Sequence, residues 1–208
     1  MSYGIKIEVW GDRALFSRPE MKVERVSYDV MTPSAARGLL EAIYWHPGMC
    51  WVIDRIHVMN PIKFTNVRRN EVKSKASSKK TCIVTSDDIQ QRASMILTDV
   101  RYVIEAHFII TSKAAPTDNE GKFLDIINRR LKSGQCYHHP CFGCREFPAY
   151  FQPYEEKTIP TAYPDSEREL GFMLYDMDYS DLENIQPKFF RAVLKNGVLD
   201  VTDCEVHQ

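Results

Sequence analysis

Three observations predict an α+β fold. Strand-like and helix-like hydrophobic periods follow one another as strand, helix, strand, strand, helix, strand over residues 1–152. A basic, Ser- and Lys-rich stretch interrupts that order as an insertion from about 63 to 95, and from about Pro153 to residue 208 the pattern becomes wholly strand-like.

The elements follow from the N-terminus. Ile5, Ile7 and Val9 alternate with Lys6, Glu8 and Trp10, the period of a half-buried strand, and Gly11-Asp12 reads as the turn that ends it. Thr32-Pro33 then places a capping threonine before proline at a first helical position, and Ala36, Leu39, Leu40 and Ile43 make the apolar stripe of that helix. It stops near Tyr44-Trp45-His46, because Pro47-Gly48 cannot continue it. Trp51 to Met59 is a β-branched strand closed by Asn60-Pro61.

From Lys63 to Lys80 there are seven Lys/Arg against one acid, Glu71, and part of this segment is expected to be a mobile loop. Ile83 to Asp88 reads as a short strand and Ile89 to Leu97 as a turn or short helix. Asp99 to Ile110 is a long strand. One face carries Val100, Tyr102, Ile104, Ala106 and Phe108; the other carries Arg101, Val103, Glu105 and His107, either an RNA platform or a row of cross-strand ion pairs.

The second helix begins near Asp118 or Asn119, either of which can cap it, and repeats Phe123, Ile126, Ile127 and Leu131. Arg145 to Phe151 is read as the next strand. This order is the split βαβ arrangement of a ferredoxin-like domain. Leu170 to Met177, Lys188 to Leu194 and Val198 to Val201 then form a small antiparallel region, with Asn196-Gly197 as a hairpin turn.

Composition excludes several classes. With 27 Lys/Arg against 28 Asp/Glu, the net charge of −1 rules out a globally basic nucleic-acid binder, though not a local basic surface. No apolar run approaches membrane-spanning length, so a cytoplasmic protein with no membrane partner is expected. Cys136, Cys141 and Cys144, with His138 and His139, have spacing compatible with zinc, but one ligand cluster stands where structural sites usually show two, and the reading favours no metal and no cofactor. No Walker loop, GxGxxG, HExxH or nucleophile elbow is present.

Lys122 is out of place for a plain helix start. A cation in the first turn opposes the helix dipole unless an anion such as phosphate sits there too; the alternative is a solvated lysine balanced by Glu120. Metal-free RNA cleavage needs little machinery: the 2′-OH attacks the adjacent phosphate, so the site must orient the strand, move protons and meet extra negative charge. Tyr44 and Lys122 can share that work if the two helices pack on one face of the sheet.

The stretches GDRALFSRPE, VERVSYDVMTPSAARGLLEAIYWHPGM, VMNPIKFTNVRRNEV, NEGK-x₄-I-x-RRLKSGQC and GCREFPAYF together resemble the CRISPR-associated Cas proteins of family five, variant d, from subtype I-C systems, RAMP-superfamily endoribonucleases that process repeat RNA. The resemblance is nearly continuous to Pro153 and thins beyond it. It implies an RRM-like ferredoxin domain with a C-terminal β region. It also implies metal-independent cleavage at the 3′ base of the repeat hairpin, with a cyclic-phosphate product, and retention of the 5′ handle beside other subunits of the interference complex. The catalytic tyrosine and lysine of the family fall on Tyr44 and Lys122, while the third member, a histidine, is Phe123 here. His107 is taken as its replacement, with His46 and His138 as alternatives; Tyr44 and Lys122 acting alone at a lower rate, or a scaffold that binds RNA and cuts poorly, are the other readings. Lys63, Arg68, Arg69, Lys73, Arg129 and Arg130 are the candidate RNA contacts.

Overall fold

A computed structural model describes residues 4–21, 24–79 and 81–207; Lys80, the end of the basic segment, lies outside the described residues. The core is built on β1 (Gly4–Ala14), α1 (Pro33–Ile43), β3 (Met49–Val58), β5 (Ile89–Ile110), α2 (Glu120–Ser133) and β6 (Tyr150–Pro153). Antiparallel pairing places these strands in the spatial order β6, β1, β5, β3, with Ile7 opposite Ile104, Ile56 opposite Ile104 and Val9 opposite Phe151. The pleat sends Ile5, Ile7, Val9, Ile104, Ala106 and Phe108 to one buried face. Onto it pack Leu39, Leu40 and Ile43 of α1 and Phe123, Ile127 and Leu131 of α2. Each such side chain contributes roughly 1.5–3 kcal/mol on burial, which fixes where both helix ends lie.

Local signals set those ends. Thr32 accepts a hydrogen bond from the Ala35 N–H at 3.1 Å with Pro33 behind it, and Tyr44 is extended where α1 stops. Of the two candidate caps for α2, Asn119 serves, accepting from the Lys122 N–H at 2.9 Å; Gly134 (φ 65°) closes the other end in the left-handed conformation.

The opposite face of the sheet is a network of cross-strand ion pairs. Arg101 meets Glu8 at 2.5 Å, Lys6 meets Glu105 at 2.7 Å, Arg55 approaches the same glutamate at 3.4 Å, and His107 Nδ1 lies 2.8 Å from Asp54. Burial pushes the His57 imidazole below its usual range despite Glu105 nearby.

Four local expectations are corrected. Gly11 and Asp12 do not turn: β1 runs on to Ala14, and the glycine is required because a Cβ there would lie 2.7 Å from the Pro148 carbonyl oxygen. In the basic insertion, β4 (Phe64–Val72) pairs with Ile89 to Leu97, so that stretch is neither turn nor helix but the first part of the 22-residue β5. One face of this hairpin is partly buried, but there it pairs Arg69 with Arg92 and Glu71 with Gln90, so the apolar alternation that marks a half-buried strand is missing. Ile83 to Asp88 holds a single 3₁₀ turn, Thr85–Asp87, in place of a strand. The last strand of the core starts at Tyr150 instead of Arg145, since Phe142 and Phe147 enter the core from a tight loop closed by the Phe142 N–H to Phe147 carbonyl bond.

After β6, β7 (Glu167–Asp178) and β8 (Gln186–Lys195) form a hairpin, and β9 (Val198–Asp200) follows through Asn196 (φ 50°) and Gly197 (φ 74°), as that dipeptide predicts. β9 pairs with β3, carrying the sheet into the C-terminal region, while β10 (Val206–His207) pairs with β8 and β2 (Arg25–Val26) runs parallel to β5. Among the described residues no helix is long and apolar enough to cross a membrane.

Candidate active site

The C-terminal end of α1 and the first turn of α2 meet on the helical side of the sheet. Tyr44 is buried there, its ring 6.3 Å from Phe123, whose own ring stands edge-on to Phe108. The Trp51 indole N–H donates to the Tyr44 carbonyl at 2.9 Å, and Arg130 donates to the Ile43 carbonyl at 2.6 Å while its guanidinium lies over the Tyr44 ring at 5.1 Å. Tyr44 is thus held from both strand and helix. Burial raises the pKa of its phenol, and the charges of Arg130 and Lys122 pull in the other direction without overcoming it.

Lys122 is beside this tyrosine, but it is not free. Its ammonium lies 2.7 Å from Asp118, whose side chain is only 2% exposed against 44% for the lysine. Asp118 also accepts from the Ala115 N–H at 2.9 Å; those bonds, with the charge of His46, hold its carboxyl below the usual range. His46 completes the cluster: its ring packs 5.0 Å from Phe123, and its Nδ1 accepts from the Gly48 N–H at 3.0 Å, which leaves Nε2 to carry the proton of the neutral ring. The histidine adjacent to Tyr44 and Lys122 is therefore His46.

His107 is not brought here. It lies on the other face of β5, bonded to Asp54, while its neighbour Phe108 faces the site. The expected partner of Lys122, Glu120, gives way to Asp118, four residues before the lysine, and His46 comes beside Phe123 through the way the chain turns after Pro47.

The basic candidates divide by engagement. Lys63, Arg68, Lys73 and Arg129 are exposed, with Lys63 3.5 Å from Asp99. Arg69 is ion-paired with Glu146 over the Phe147 ring, and Arg130 braces the end of α1. The cysteines of the 136–144 loop are free thiols, and burial raises the pKa of Cys141. Among the described residues no three His, Cys, Asp or Glu side chains gather in a metal-holding group.

The family model of CRISPR-associated protein (Cas_Cas5), variant Cas5d, matches residues 4–202. A protein of Mannheimia succiniciproducens named CRISPR pre-crRNA endoribonuclease Cas5d is 49% identical, over 97% of this chain and 96% of its own length. Another of that name from Thermus thermophilus is 45% identical, over 95% and 90%. A solved structure described as a CRISPR-associated protein superimposes with a TM-score of 0.76 at 24% identity, over all of this chain and 97% of that one, and shows the shared fold. By the family model and these relatives, which span nearly its whole length, the chain belongs to the Cas5d family of CRISPR-associated proteins.

Proposed function

We propose that this protein is a metal-independent endoribonuclease of CRISPR precursor RNA, with a ferredoxin-like (RRM-like) domain in residues 1–152 and a β region in 153–208. It cuts at the 3′ base of the repeat hairpin and keeps the 5′ handle within a cytoplasmic subtype I-C interference complex. The observation that carries this reading is the buried Tyr44 set beside Lys122 at a helix start, in a chain whose relatives are named pre-crRNA endoribonucleases.

The 2′-oxygen bonds to phosphorus as the P–O5′ bond breaks, its proton leaving and another arriving at the 5′-oxygen, to give a 2′,3′-cyclic phosphate and a 5′-hydroxyl. Because burial keeps the Tyr44 phenol protonated, it acts by relaying a proton along a hydrogen bond, not as a standing phenolate. Lys122, the exposed member of its pair with the buried Asp118 carboxylate, exchanges that partner for the phosphorane oxygens. His46 supplies the donor that the family pattern places at Phe123, in preference to His107. Lys63, Arg68, Lys73 and Arg129 contact the RNA backbone.

A second reading is a non-catalytic RNA scaffold, favoured by Phe123 in the histidine's place and by the neutralised Lys122. Repeat RNA incubated with the protein in excess EDTA separates the two. Cleavage to a cyclic-phosphate end, lost by about 10²-fold or more in Tyr44→Phe and Lys122→Ala with affinity retained, is expected; binding without any cleavage establishes the scaffold.

A further inference from the structure

An aromatic groove lies on the outer side of α1, next to the candidate active site. Its volume is about 540 Å³, and it is lined by Gly38, Ala42, Trp45, Arg130, Tyr137 and His138 together with Glu41. Trp45 is 60% exposed and Tyr137 73%, unusual for side chains of this size, and neither packs into the core. The Tyr137 ring meets His138 edge-on at 4.3 Å. Between them the floor is small: Ala42, and Gly38, where an added Cβ would meet nothing within 4 Å.

Arg130 joins groove and site, since it lines the groove and also lies over the Tyr44 ring. Trp45 directly follows Tyr44 in the chain. Beside Tyr44, then, lies a groove with two exposed aromatic side chains and a guanidinium. That is the equipment by which proteins hold single-stranded nucleotides: stacking for the base and a cation for the phosphate.

We propose that this groove is a base-stacking subsite for an unpaired nucleotide next to the scissile phosphate, held between Trp45 and Tyr137 with Arg130 on its backbone. The proposal rests on the endoribonuclease reading for the path of the RNA, but it concerns binding and is tested without cleavage. A nucleotide seated there is splayed away from the hairpin base, which fixes the reach of the strand and so the position of the cut.

The test uses repeat RNA carrying 2-aminopurine at each unpaired position flanking the hairpin in turn, a 2′-deoxy sugar at the cut position blocking reaction. Stacking on aromatic rings quenches the fluorophore. The proposal expects quenching on binding at a position next to the cut, abolished in Trp45→Ala and Tyr137→Ala, with roughly 10-fold weaker binding in each. Both side chains are exposed, and it is the Tyr137 backbone N–H, not its ring, that bonds to Ala42, so these variants keep the fold. Gly38→Leu is the second variant: leucine is the better helix former, and its side chain projects into the open groove, so it too should abolish the quenching. Binding by wild-type protein with no quenching at any position next to the cut, or quenching that survives all three variants, overturns the subsite. Failure of the wild-type protein to cut the all-ribose RNA would overturn the endoribonuclease reading instead, and leaves the quenching result to stand by itself.

Discussion

At the scale of the residue, the site joins two groups whose ordinary properties are bent by their surroundings. A phenol whose pKa is raised cannot ionise near neutrality. If a phenolate were the base, the single-turnover rate would climb about tenfold per pH unit toward ~10. A relaying tyrosine predicts a much shallower rise between pH 7 and 9, which a pH–rate profile measures directly. His46→Ala should slow cleavage by about 10²-fold, whereas His107→Ala, on the far face, should leave kcat unchanged. Tyr44 and Lys122 were legible because a family pattern marks them and helix signals locate them. His46 was named only as an alternative to His107, since its closeness to Phe123 depends on the Gly48 N–H turning the ring, a contact that no periodicity encodes.

At the scale of the element, what was local was readable. The Thr32 cap, the Pro33 start, the Gly134 stop and the Asn196-Gly197 turn each depend on a few neighbouring residues, and each sits where those residues place it. Replacing Thr32 with Ala should cost about 1 kcal/mol in urea unfolding. The elements misread were those whose cause is distant. Gly11 looked like a turn because glycine usually punctuates; it is a strand residue forced small by Pro148 and Phe142, 137 and 131 positions away. Gly11→Ala should therefore destabilise by about 1–3 kcal/mol through overpacking, although Ala suits a strand better. The first part of β5 looked shapeless because the more buried face of its hairpin carries Gln90, Arg92 and Ser94, polar residues that leave no apolar alternation to read.

At the scale of the whole molecule, acid and base should each loosen the fold for different reasons. Asp118, Glu105, Asp200, Glu169 and Asp178 have depressed values through their cationic and hydrogen-bonding partners, and His57 is depressed by burial. The unfolded chain binds protons on these groups at higher pH than the folded one, so their stabilisation is complete above the unfolded values, about 6.5 for His and 4 for the acids, and is lost as pH falls below them. Tyr28, Tyr102 and Tyr175 are raised by burial and remove stability as pH rises past ~10, where the unfolded chain ionises first. Urea midpoints should form a plateau near pH 7–9 and drop on both sides. The molecule as a whole, at net −1, exerts no general pull on RNA, so capture is a matter of local contacts. Here the Asp118–Lys122 pair acts as a tethered competitor. Its carboxylate, one helical turn away, confronts the lysine at an effective concentration that free phosphate or nucleotide does not match, whereas a hairpin gripping many contacts at once can displace it. The pair is expected to keep small anions off Lys122 in the resting protein. Asp118→Asn, which keeps the acceptor for Ala115 but not the charge, should make cleavage newly sensitive to millimolar inorganic phosphate.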